Sequence, residues 1–406
     1  MSMKKNEAAA AFHRIAEQLN KAGFTGGEIT AAIRGDEGEY FLALLQYGSG
    51  AYEAAIAPKL LDDATDPFAA AFLEKPDAQV ILLLAGDYAK KAANALRFLR
   101  AELDDMAQIV GLTARVAQSL TPAEVKRCLH RRNSCFVRGL GMFITGRSQT
   151  EAVTGAILLE KAAMTHLLAQ KIGGAKRVPL LSAALMHQIY QKKYSKINLE
   201  EESAKQAKPA GEHAPSEARS EQEQLLREQI VTYGRRLSEE GLVQGTWGNI
   251  AVRLDETHML VTPSGLDYRF LTADDILRVE LATLDYGAQR KPTSEKRLHR
   301  DVLAFRDSAN ACIHTHSRYC GVFAAARKPV CCISGEMQRL VGSEMCCAPH
   351  ALPSTKKLSK VAIRALGRNN GCLLMNHGVL CCGNSLDEAY QTCKAAEQAA
   401  KEQLEG

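Results

Sequence analysis

Residues Ala311 to Ser317 read Ala-Cys-Ile-His-Thr-His-Ser. On a β-strand, residues two apart face the same side, so His314 and His316 project together. Two imidazoles on one face suit a divalent metal such as zinc, which in a catalytic site takes a third protein ligand and keeps one position open. Alone, such a pair is more often two ordinary histidines. The third candidate is His377, inside Leu-Leu-Met-Asn-His-Gly-Val-Leu. The apolar run ahead of it reads as a buried strand, and Gly378 allows close backbone approach just behind it.

Glu295 lies in Lys-Pro-Thr-Ser-Glu-Lys-Arg-Leu-His-Arg-Asp-Val, where Leu298, Val302 and Phe305 mark the start of an amphipathic helix. Thr293 and Ser294 precede its first turn, where backbone N–H groups favour an anion. Glu295 then stands between an anion site and the metal, the place of a general acid/base. Without the histidines it reads as a glutamate complementing the helix dipole. Gly245–Ile250 (GTWGNI) and Val261–Gly265 (VTPSG) are turns whose N–H groups and hydroxyls can cradle a phosphate. Neither has the spacing of a nucleotide phosphate loop. Trp247, the only tryptophan, is expected to pack the first of them against the core.

The frame that must hold these residues divides in two. With 406 residues, 46% of them hydrophobic and 24% charged, the chain has room for two or three folded domains. From Ser195 to about Gln224 large apolar residues nearly vanish among Glu200, Glu201, Glu202, Lys205, Lys208 and Pro209, which reads as a charged flexible linker over 195–222. From Glu223, Leu226, Ile230, Tyr233 and Leu237 recur at helical spacing. The two halves share a signature. Setting Cys135 on Cys372 aligns Gly141 with Gly378, Gly146 with Gly383, Ser148 with Ser385, and Glu151-Ala152 with Glu388-Ala389. Each copy reads as β-rich run, glycine turn, serine before a helix, then an Ala-rich helix, the pattern of an internal duplication. Leu140 stands where the second copy has His377, and the counterpart of the His-x-His pair falls in Val80–Leu84, so one copy carries every ligand.

Several classes of function are excluded. The net charge of +5 forms no basic stripe interleaved with aromatics, which argues against nucleic acid. The longest apolar stretch, around Val80 to Ala85, is too short for a bilayer, and His13, Arg14 and Glu17 interrupt what a secretory signal would need. The twelve cysteines include adjacent pairs and no Cys-x-x-Cys, and read as reduced, mostly buried thiols. A cytoplasmic enzyme is expected.

Taken in order, Gln244–Arg253 (QGTWGNIAVR), VTPSG, Pro292–Glu295 (PTSE), Ile313–Ser317 (IHTHS) and Asn376–Gly378 (NHG) resemble the class II aldolase/adducin family. The resemblance covers nearly the whole second half. It implies an α/β fold of three layers, α/β/α, around a mainly antiparallel sheet, as a catalytic domain over 223–406. Residues 1–194 would be a degenerate copy in tandem. It also implies zinc, or another divalent transition metal, on His314, His316 and His377, with Glu295 as acid/base. Asn249, Ser264, Gly265, Thr293 and Ser294 would bind the substrate phosphate. The implied reaction is cleavage of a ketose 1-phosphate to dihydroxyacetone phosphate and an aldehyde through a zinc-stabilised enediolate.

Two departures qualify the carry-over: Ala251 replaces the usual serine, and the tyrosine proton donor of the aldolases has no counterpart. Glu336, in Ser-Gly-Glu-Met-Gln-Arg-Leu-Val-Gly, resembles the acid/base of a methylthioribulose-1-phosphate dehydratase, which keeps dehydration open beside pentulose-phosphate 4-epimerisation. A non-catalytic, adducin-like interaction role fits the first half better, since such heads lack the metal histidines. The family's assembly implies a homo-oligomer, with two chains here forming a pseudo-tetramer around a small-molecule sugar phosphate.

Overall fold

The computed structural model describes residues 5–25, 27–36, 38–48, 51–191, 219–287 and 290–406. The chain packs as two compact units, one of Met1–Leu167 with Arg177–Lys193, the other of Leu168–Lys176 with the second half through Gly406.

The first unit opens with α1 (Lys5–Lys21) and the meander β1 (Glu28–Arg34), β2 (Glu39–Gly48) and β3 (Ala51–Leu60). Then follow α2 (Pro67–Glu74), β4 (Val80–Leu84), α3 (Asp87–Ala95), β5 (Phe98–Arg100), α4 (Asp104–Ile109), β6 (Thr113–Ala117) and α5 (Pro122–Leu129). It closes with β7 (Ser134–Val137), β8 (Gly141–Gly146), α6 (Gln149–Ala169) and α7 (Leu180–Ile189). The sheet order is β3-β2-β1-β4-β8-β7-β6-β5, with β6 and β7 parallel.

The second unit opens with α8 (Glu221–Glu239) and the meander β9 (Gly248–Arg253), β10 (His258–Val261) and β11 (Leu277–Glu280). Next come α9 (Lys296–Phe305), β12 (Ala311–Thr315), α10 (Arg318–Ala326), β13 (Val330–Cys331), α11 (Gly335–Val341), β14 (Glu344–Met345) and β15 (Cys347–Ala348). Last are α12 (Lys356–Leu366), β16 (Gly371–Leu374), β17 (Gly378–Gly383) and α13 (Leu386–Glu405). Its main sheet runs β11-β10-β9-β12-β17-β16-β15, with β15 and β16 parallel. Position for position, the seven strands repeat the order and directions of β3 to β6 in the first sheet.

Alternation along these strands builds two cores. Ile250, Val252, Ile313, Val379 and Cys381 pack with Leu386, Tyr390 and Cys393 of α13. Ala251, Cys312, Leu380 and Cys382 pack instead with Leu298 and Val302 of α9 and Leu358 and Ala362 of α12. Neighbouring strand residues face opposite sides, so helices cover both faces and the second unit is a three-layer α/β/α domain. Its strands β12, β16 and β17 are therefore buried along their whole length. None of the twelve cysteines is disulfide-bonded, and most are buried; Cys331 and Cys346 are exposed.

Most of the expected linker, 195–218, lies outside the described residues. Helix formation in α8 starts at Glu221, two residues ahead of the expected boundary, because the Ser220 side chain accepts a hydrogen bond from Glu223 N at 3.1 Å and caps the helix. The apolar helix α6, extended by a single turn through Ile172, has the length and composition of a membrane span, yet most of it is buried within the fold, as a core helix is.

Candidate metal centre

Strand β12 carries His314 on the same face as Cys312, toward α9, and His316 follows one step past the strand end. In register, His314 pairs with Leu380 of β17 on one side and with Asn249 of β9 on the other. His377 comes from the turn between β16 and β17, where its backbone N–H donates to Leu374 O at 2.9 Å. Asn376 holds that turn with φ 62°, and its amide donates to Lys176 O at 2.7 Å. The strand-to-helix corner after His316 is fixed from α13, where Glu397 accepts from Ser317 Oγ, Tyr319 N and Cys320 N at 2.7, 2.7 and 2.9 Å.

The three histidines, all buried, meet edge to face with ring centroids 4.7 to 4.8 Å apart. Their ligand nitrogens all lie within 4.8 Å of one another. His314 Nδ1 donates to Val379 O at 2.9 Å, which fixes the tautomer and presents Nε2 as the donor atom, the outer-shell arrangement of metal-bound imidazoles. Three imidazoles beside one carboxylate suit a divalent transition metal.

Glu295 is the N-cap residue of α9 and is buried. Its Oε2 lies 3.4 Å from His314 Nε2 and its Oε1 3.7 Å from His377 Nε2. Asn249 Nδ2 donates to Oε2 at 3.2 Å. Burial alone would raise this carboxyl's pKa, but the facing imidazoles and the Asn249 amide outweigh it and hold it at about 2. That balance needs positive charge at the imidazoles, which protonated rings or a bound cation supply alike. The arrangement places an ionised carboxylate against the ligand nitrogens, where it can move a proton at a bound substrate.

The remaining sequence candidates divide. Ser264 and Gly265, both half-buried, and Thr293 lie on two loops tied together by Ser264 N to Lys291 O at 2.9 Å and Thr293 N to Thr262 O at 3.0 Å. Thr293 Oγ1 accepts from Glu295 N at 3.2 Å, so this hydroxyl shapes the turn that delivers the carboxylate. Ser294 is exposed. The Asn249 side chain is engaged by Glu295 and by His299, whose Nε2 lies 2.5 Å from Asn249 Oδ1. Glu336 is exposed in the first turn of α11, with no hydrogen bond or ion pair to the histidines among the described residues. Trp247 is half-buried against the Gly245 turn. His299 escaped the sequence reading, although its spacing of four from Glu295 puts both on one helical face.

Gly378 is required by space. A Cβ there would sit 2.3 Å from Thr315 O and 3.1 Å from His314 Cε1. Gly378→Ala is expected to force β17 from β12 at the histidines, costing about 1–3 kcal/mol and weakening metal binding. Thermal unfolding and a metal titration would check both, and wild-type values in each would refute the assignment.

A buried three-histidine cluster with an adjacent carboxylate, on an α/β/α frame, is a set of groups that could hold a metal ion. Residues 228–404 match the family described as Class II Aldolase and Adducin N-terminal domain. A 5-methylthioribulose-1-phosphate/5-deoxyribulose-1-phosphate aldolase of Rhodospirillum rubrum is 31% identical over 177 residues, covering 44% of this chain and 79% of that protein. An L-fuculose phosphate aldolase of Escherichia coli O6:H1 is 31% identical over 176 residues, covering 43% and 81%. Among solved structures, an L-fuculose 1-phosphate aldolase is 30% identical with a TM-score of 0.42, covering 47% of this chain and 87% of its own. The chain belongs to the class II aldolase/adducin family.

Proposed function

We propose that the second half is a metal-dependent aldolase that cleaves a ketose 1-phosphate to dihydroxyacetone phosphate and an aldehyde in the cytoplasm. The observation that carries this is the Glu295 carboxylate 3.4 and 3.7 Å from His314 and His377. His314, His316 and His377 would hold the metal, preferably zinc, which when bound supplies Lewis-acid stabilisation of the enediolate oxygens. Glu295 moves the proton at the enediolate carbon, and its burial keeps bulk water from competing. Ser264, Gly265, Thr293 and Ser294 receive the phosphate on their paired loops. The names of the relatives, aldolases of 5-methylthioribulose 1-phosphate, 5-deoxyribulose 1-phosphate and L-fuculose phosphate, support aldol cleavage over dehydration.

The first half is read as a degenerate copy of the same domain. Matching strand order supports this, as do matching details. Arg34 and Arg253, each the last residue of its strand, reach the carbonyls of Phe72 and Ala78 and of Leu303 and Ala309 respectively. Gly141, like Gly378, admits no Cβ, meeting Leu84 O at 2.4 Å. Glu160 accepts from Tyr88 N and Ala89 N as Glu397 does from Tyr319 N and Cys320 N. By strand position, Leu83, Ala85 and Leu140 stand where the histidines do.

Metal analysis followed by a panel of ketose 1-phosphates tests both readings. One metal per chain and release of dihydroxyacetone phosphate are expected. Two metals per chain would refute the degenerate copy, and water loss without carbon–carbon cleavage would replace aldolase by dehydratase.

A further inference from the structure

Helix α9 buries Leu298, Val302 and Leu303 in an apolar cluster, and on the same buried side stands His299, fully shielded from solvent. Its Nε2 is 2.5 Å from Asn249 Oδ1, and Asn249 Nδ2 is 3.2 Å from Glu295 Oε2. The direction of these two hydrogen bonds is set at the carboxylate end. Glu295 as a carboxylate only accepts, so the amide presents Nδ2 to it and Oδ1 to His299. Oδ1 only accepts in turn, so Nε2 carries the imidazole proton. The ring is neutral, since burial pushes its pKa down to about 3. Nδ1 is then a bare lone pair, and it has no hydrogen-bond partner among the described residues.

A leucine would fill this side of α9 without burying an unsatisfied nitrogen. The imidazole therefore weakens the core locally, and its one directed bond is what it returns. We infer that His299 is a positioning residue: its Nε2–H locks the Asn249 amide in the one orientation that holds the Glu295 carboxylate beside His314 and His377. Turned over, the amide would set Oδ1 against Oε2, acceptor against acceptor. His299 N also donates to Glu295 O at 3.2 Å, so ring and carboxylate ride on the same first helical turn. Asn249 in turn is anchored opposite His314 by the pairing of β9 with β12. The imidazole, the amide and the carboxylate form a brace spanning helix and sheet. The inference rests on the reading of Glu295 as the acid/base.

The test compares His299→Leu with His299→Gln, which returns an N–H donor on a side chain of similar reach, in the full-length, metal-loaded protein. His299→Leu is expected to lower kcat about 10- to 100-fold, with a smaller change in KM and unchanged metal content. His299→Gln is expected to recover most of that loss. A second readout needs no turnover. In isotopically labelled wild-type protein, nitrogen NMR should find the His299 proton on Nε2 of a neutral ring. The Asn249 side-chain amide protons should exchange slowly there and in His299→Gln, and faster in His299→Leu. Equal losses in the two variants, wild-type kcat in His299→Leu, or an Nδ1–H tautomer would overturn the inference. If the wild-type protein cleaves no ketose phosphate, the reading of Glu295 fails, while the nitrogen and amide signals still decide whether the brace exists.

Discussion

Glu295→Gln is expected to reduce kcat by about 10²- to 10⁴-fold, the range for removing a positioned proton-transfer group. Metal content should stay near that of the wild type, because the donor nitrogens belong to His314, His316 and His377. The substitution is close to isosteric, and a glutamine oxygen can still accept from Asn249 Nδ2, so packing at the N-cap of α9 is retained. What disappears is the ionised oxygen facing the histidine nitrogens at 3.4 and 3.7 Å. The loss should fall on kcat more than on KM, since the phosphate loops are untouched. The same rate in wild type and variant, at equal metal content, would refute the role. Glu336→Gln provides the contrast. Glu336 is exposed in the first turn of α11, and a larger loss there than at Glu295 would move the chemistry to dehydration.

Legibility followed the range of the interactions. His314 and His316 could be paired from sequence because the strand period acts over two residues, and the burial of β12 and the facing rings agree with it. The start of α9 was equally local: Thr293, Ser294 and Glu295 precede an apolar periodicity, and the helix begins at Lys296. The brace from His299 through Asn249 was not legible, because it joins residues some fifty positions apart through a turn, a sheet register and a helix face. Association of 168–176 with the second half was hidden for the same reason. It depends on long-range bonds such as Lys176 N to Ala325 O at 2.8 Å and Lys171 Nζ to Leu404 O at 2.7 Å. Cysteine burial was readable from residue type, whereas the exposure of Cys331, the last residue of the short strand β13, and of Cys346, just after β14, was not.

His377→Ala is expected to lower metal affinity by more than the roughly 10- to 100-fold that an outer-shell partner costs, and to abolish turnover with it. His377 is the informative ligand to remove. His314 lies in the middle of the sheet with its Nδ1 bonded to Val379 O, so its loss would also disturb β12 and β17. His377 sits in a turn whose backbone is held independently by His377 N to Leu374 O and by Asn376 to Lys176 O. Truncation at Cβ therefore removes a donor and leaves the frame. Stability offers a readout separate from activity. A metal that binds only the folded state adds about 2.7 kcal/mol when present at a hundred times its Kd, so a chelator should lower the melting temperature of the wild type. In His377→Ala the chelator should shift it far less, because little metal is held to withdraw. An equal chelator-induced shift in both proteins would place the metal elsewhere. The ordering also separates the roles: His377→Ala should lose metal and turnover together, Glu295→Gln turnover alone, and His299→Leu part of the turnover with the metal retained.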